Sequence, residues 1–76
     1  MRPTYFNTLT LAEKRDVIFG RGEFIRMINY FGYKMSLYLL DGEFYEVFHS
    51  ADGRSINRIK LAAKDRIHLY CPSIKL

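Results

Sequence analysis

The stretch Lys34-Met35-Ser36-Leu37-Tyr38-Leu39-Leu40-Asp41-Gly42-Glu43-Phe44-Tyr45-Glu46-Val47-Phe48-His49 reads as a β-hairpin. Asp-Gly is a strong two-residue turn signal, because a type I′ turn needs positive φ at both central positions. The strands are Lys34 to Leu40 and Glu43 to His49. The turn sets a register in which Leu40 opposes Glu43, Leu39 opposes Phe44, Tyr38 opposes Tyr45, Leu37 opposes Glu46 and Met35 opposes Phe48. Side chains alternate between faces, so one face holds Met35, Leu37, Leu39, Phe44, Glu46 and Phe48. The other holds Lys34, Ser36, Tyr38, Leu40, Glu43, Tyr45, Val47 and His49.

On the N-terminal side, Phe24 to Phe31 reads as a further strand, joined through Gly32-Tyr33. Gly at the first central position suits a type II′ turn. That strand adds Phe24, Arg26, Ile28 and Tyr30 to the Met35 face, and Ile25, Met27, Asn29 and Phe31 to the Tyr38 face. On the C-terminal side, Ser50-Ala51-Asp52-Gly53-Arg54 is a longer turn and Ser55 to Leu61 a fourth strand. The whole of 24–61 is an antiparallel meander.

Before the sheet, Thr10-Leu11-Ala12-Glu13 fits a capping box. The Thr10 hydroxyl accepts from the N3 amide, and Glu13 reaches back to the Thr10 amide. A helix over 10–20 follows, with Leu11, Ile18 and Phe19 on one face and Lys14, Arg15 and Asp16 toward water. Gly20 can end it in the left-handed conformation, and residues 1–9 read as an irregular arm. The helix is expected on the Met35 face of the sheet. Two readings stand for the segment 62–76. Ile67, Leu69 and Cys71 alternate with polar or aromatic residues like a strand. Ala62-Ala63-Lys64-Asp65-Arg66 starts like a helix that Pro72 stops, and a helix near 63–70 is slightly preferred. The class is α+β: an N-terminal helix on a 3–4-stranded meander, with a short C-terminal helix or strand.

With 76 residues there is room for one domain, which buries only about 60% of the surface its unfolded chain exposes. The chain is 49% hydrophobic, with six Tyr and six Phe, too apolar for disorder. So small a body cannot hide every ring, which favours self-association. One cysteine, Cys71, makes no internal disulfide, and the first residues lack the apolar run of a signal peptide. No stretch approaches the ~20 apolar residues of a membrane span. A cytoplasmic protein with no membrane partner is expected.

The net charge of +4 is unevenly placed. Residues 1–53 hold six bases against seven acids. Residues 54–76 hold Arg54, Arg58, Lys60, Lys64, Arg66 and Lys75 against Asp65 alone. A basic C-terminal third could meet phosphates or an acidic partner, although a solvated face is the ordinary reading.

Catalytic and metal chemistry find little support. Cys71, His49 and His68 have no spacing that makes a thiol–imidazole pair. Metal ligation needs three or four convergent ligands, and one Cys with two His on different elements do not supply them. Gly20-Arg21-Gly22-Glu23 follows a helix and precedes a strand, the reverse of a phosphate loop. No cofactor is implied. Rings on a sheet face beside Lys34 and a basic tail are compatible with stacking of single-stranded bases. The aromatic signature of the RNA-binding β-α-β-β-α-β fold is missing.

Leu9-Thr10-Leu11-Ala12-Glu13-Lys14, Gly22-Glu23-Phe24-Ile25, Tyr33-Lys34-Met35-Ser36-Leu37-Tyr38-Leu39-Leu40 and Phe44-Tyr45-Glu46-Val47-Phe48 resemble a family of short bacterial proteins of unknown function, as do Ile56-Asn57-Arg58-Ile59 and Leu69-Tyr70. The resemblance covers about residues 9–70. It implies a helix followed by a β-meander, and no activity or functional residue.

The reading is therefore a non-enzymatic protein-interaction module and candidate homodimer, docking through an open sheet edge or a surface of Tyr38, Tyr45, Lys34 and His49. The alternative is a small RNA- or DNA-binding protein using Arg54, Arg58, Lys60, Lys64 and Arg66. Glu46 conflicts with its apolar row, and Arg26, in the same row across Leu37, is its expected partner. A ligand pocket around Glu46 is the sharper alternative.

Overall fold

The computed structural model describes residues 1–71. Lys75 and the Pro72 stop lie outside the described residues. The elements are α1 (Pro3–Phe6), α2 (Leu11–Arg21), β1 (Glu23–Tyr30), β2 (Tyr33–Leu40), β3 (Glu43–His49), β4 (Ile56–Leu61) and α3 (Lys64–Tyr70). The strands form one antiparallel sheet in the order β1-β2-β3-β4. The α+β class, with an N-terminal helix, a four-stranded meander and a short C-terminal helix, is as the sequence implies.

The β2–β3 register is the one that Asp41-Gly42 dictates, from Met35 opposite Phe48 to Leu40 opposite Glu43. Asp41 has φ 49° and Gly42 φ 82°, the positive pair that the turn requires. The β1–β2 turn differs from expectation. It is Phe31-Gly32, with φ 49° and 82°, one residue earlier than Gly32-Tyr33 and again with two positive φ values. Paired positive φ matches the twist of the flanking strands, and it places the glycine second. The strain falls on Phe31, whose ring is among the most exposed apolar groups. A bulge between Phe24 and Arg26 then moves Phe24 off the Met35 face, opposite Tyr38.

The capping box of α2 is complete. Thr10 Oγ1 accepts from the Glu13 amide at 3.1 Å, and Glu13 Oε1 accepts from the Thr10 amide at 2.9 Å. The helix does not stop at Gly20. It continues to Arg21, and Gly22 joins it directly to β1 with φ −78°. Gly22 serves by lacking a Cβ, which would sit 2.5 Å from the Ile18 carbonyl oxygen. The arm is not irregular throughout, because Pro3 opens the single turn α1.

The layering corrects the expected placement of the helix. α2 and α1 cover the Tyr38 face, where Phe6 and Ile18 pack with Leu40, Tyr45, Val47 and Ile59. α3 covers the Met35 face, where Ile67 and Tyr70 pack with Met35 and Leu37. The reason is the buried carboxylate on that face. Glu46 needs a cation and donors from the layer above it, and α3 carries both. The apolar side of α2, built on Ile18 and Val17, has neither. Among the described residues no helix is long and apolar enough to cross a membrane.

Candidate functional site

The predicted surface around Tyr38 and Tyr45 is largely roofed over. The two tyrosines are cross-strand partners. Tyr45 is fully buried under Phe6, with ring centroids 4.5 Å apart, and cannot touch a partner. Its hydroxyl finds no hydrogen-bond partner among the described residues. Burial first, then the nearby charges of Glu43 and Asp41, raise its pKa. Tyr38 is half-buried between Phe19 and Phe24, at 5.7 and 5.5 Å.

His49 and Lys34 share this face further along. The His49 ring Nε2 lies 2.9 Å from the Ser36 hydroxyl. Burial and then the Lys34 charge lower its pKa and favour the neutral ring.

What α1 and α2 leave uncovered is the outer strand. Among the described residues β1 is an edge of the sheet, paired only with β2. Phe24 is 53% exposed and Met27 50%. Phe31 and Tyr33, exposed at the tip of the same hairpin, continue this apolar margin. The sequence lists these residues but does not mark them, since the bulge that turns Phe24 outward has no signature in the residues themselves.

The basic third is divided by the fold. Arg66 is spent internally: its Nε donates to the Glu46 carboxylate at 2.9 and 2.8 Å, and its guanidinium lies 5.9 Å from the Phe48 ring centroid. That hydrogen bond, then the Glu46 charge, outweighs burial and raises the Arg66 pKa. Lys60 lies over Phe48 at 5.5 Å. Arg58, itself exposed, opposes Phe48 on the Met35 face of the sheet, and Lys64 opens α3. Arg54 stands apart, in the β3–β4 loop beside α2.

Glu46 is fully buried, and its partner is Arg66 rather than Arg26. Arg26 does oppose Leu37, in the same row as Glu46, but it points to solvent at the edge. Tyr70 completes the site, its hydroxyl donating to Glu46 Oε1 at 3.1 Å. Burial, the Glu46 charge and that hydrogen bond hold the Tyr70 pKa far above the phenolic range. Arg66 and Tyr70 are i and i+4 on α3 and so share a face. Both donors to Glu46 are thus supplied from within the fold, by Arg66 and Tyr70 of α3.

Cys71 packs on the α3 face and His49 on the α2 face, so the sheet separates them. Among the described residues no group of three or more His, Cys, Asp or Glu side chains is placed to hold a metal ion. No family model matches the chain, and no curated protein or solved structure does so either.

Proposed function

We propose that the protein is a non-enzymatic interaction module whose partner is a second copy of the chain, docked across β1. The observation that carries this is the margin of the sheet: a backbone edge unpaired among the described residues, with Phe24 and Met27 half-exposed beside it. Edge strands invite pairing, and an antiparallel edge complements itself about a two-fold axis. Charge selects β1 over β4. From Met27 to Tyr30 the outer strand is uncharged, whereas β4 carries Arg58 and Lys60, which would face their own copies. The bulge limits regular pairing to Arg26–Tyr30. Such pairing would place both copies of Met27 on one face and continue the sheet through eight strands. A cytoplasmic setting is consistent with a lone, unpaired cysteine.

Light scattering after gel filtration tests the reading. At about 100 μM the wild type should show twice the 9.0 kDa of one chain. Met27→Glu, at a half-exposed site, should stay folded and run as a single chain. A wild-type mass of one chain at that concentration removes the proposal. If that monomer is also held on heparin and released steeply with salt, nucleic acid replaces the second copy as the partner.

A further inference from the structure

A cleft lies between α2 and the β3–β4 loop, on the same sheet face as Tyr38 but away from the β1 margin. Arg15 and Phe19 reach it from α2, one turn apart and so on one side of the helix. His49 closes it from the end of β3, and Arg54, Ser55 and Ile56 close it from the loop and β4. Its volume is about 340 Å³, the size of a small-ligand site.

The chemistry of this lining is one-sided. Arg15 and Arg54 both line the space, and among the described residues no carboxylate does. Arg15 is only loosely engaged, with its Nε 3.8 Å from an exposed Asp16 oxygen. A third cation stands behind the loop: a Cβ on Gly53 would lie 3.3 Å from Lys34 Nζ. The nearest loop acid, Asp52, is already engaged by the Ser50 hydroxyl and by the Arg54 amide at 3.0 Å. The amides that border the cleft are also engaged, since Gly53 donates to the Ser50 carbonyl and Ser55 to the Ser50 hydroxyl. The loop is therefore self-braced, and an anion must be held by side chains: Arg15, Arg54 and the Ser55 hydroxyl. Ser36 occupies His49 Nε2, which leaves Nδ1 as the ring's remaining polar atom. Phe19, half-exposed, gives the cleft an apolar wall.

We infer that this cleft binds a small phosphate monoester with a flat apolar body, the class of a mononucleotide. The phosphate lies between Arg15 and Arg54, where planar guanidiniums suit its oxygens. The body rests against Phe19. This goes beyond the dimer reading and does not depend on it, because the β1 margin and the cleft share no residue.

Amide spectra of the labelled full chain, titrated at constant ionic strength with AMP, adenosine and inorganic phosphate, test the inference. Saturable shifts should fall on residues 15–19 and 49–56, with AMP binding more tightly than either fragment. Arg15→Ala and Arg54→Ala, both exposed and so expected to fold, should each weaken AMP by about tenfold. Phe19→Ala should weaken AMP and adenosine and spare phosphate. Arg58→Ala removes the same charge from the other face and should change nothing. No saturation by about 10 mM AMP, or an Arg58→Ala loss equal to that of Arg54→Ala, overturns the proposal.

Discussion

Glu46 shows how a single side chain organises its surroundings. A carboxylate with no exposure is costly unless it is paired and hydrogen-bonded. Arg66 and Tyr70 meet that need from one helix. Removing Arg66 strands a buried charge, so Arg66→Met should destabilise the domain by about 2–3 kcal/mol, less than for a wholly buried pair because Arg66 is partly exposed. Glu46→Gln keeps the shape and should cost about 1–2 kcal/mol. Urea unfolding of the double variant should lose at least about 1 kcal/mol less than the two single losses combined, whereas Glu46→Gln with Arg26→Ala should be additive. Additivity at 46 and 66 would refute the pairing. The conflict at Glu46 is visible in the sequence, because a charge sits between Phe44 and Phe48. Its resolution is not, because Arg26 meets the row criterion equally well. Only a helix at 64–70 brings residues 66 and 70 over that row.

Among the elements, the hairpins are the most tightly specified parts. Asp41-Gly42 yields the β2–β3 register directly, since only one two-residue turn is available there. The β1–β2 turn was open to two placements because Gly32 can serve first or second in it. The structure takes the second and leaves a phenylalanine at φ 49°. Two substitutions probe this. Gly42→Val should destabilise by about 1–3 kcal/mol, since a β-branched residue resists φ 82°. Phe31→Asn should stabilise by up to about 1 kcal/mol, since Asn-Gly is the preferred pair for this turn. Thermal melts decide both, and a lower melting temperature for Phe31→Asn would show that the Phe31 ring, 4.6 Å from Tyr30, matters more than its backbone. The capping box made the start of α2 legible. Its end was not, because Gly22 acts through a close approach to Ile18 that no local pattern announces.

For the molecule as a whole, the sheet is a middle layer with helices on both faces. Which helix takes which face was not legible, since both faces are half apolar and alternation says only that each needs a cover. The same burial sets a pH limit. The pKa values of Tyr38, Tyr45 and Tyr70 are all raised above the ordinary 10.0, so folding favours their neutral forms. The unfolded chain releases these protons first as pH rises, so stability is full below about pH 10 and falls above it. Urea midpoints should decline from pH 10 upward, and Tyr70→Phe should flatten the decline relative to wild type. An unchanged slope would mean that burial and the Glu46 charge do not hold Tyr70 neutral. The charge of the chain likewise acquires direction from the fold: Arg58 and Lys60 lie on β4 at one edge, and the run from Met27 to Tyr30 on β1 at the other carries no charge. Pairing of two copies through β1 is reported most directly by the backbone amides of that edge. Hydrogen exchange of the β1 amides that do not bond to β2 should slow markedly as protein concentration rises from about 1 to 500 μM, while the free edge of β4 stays unchanged. Fast, concentration-independent exchange along Arg26–Tyr30 would contradict pairing of two copies through β1.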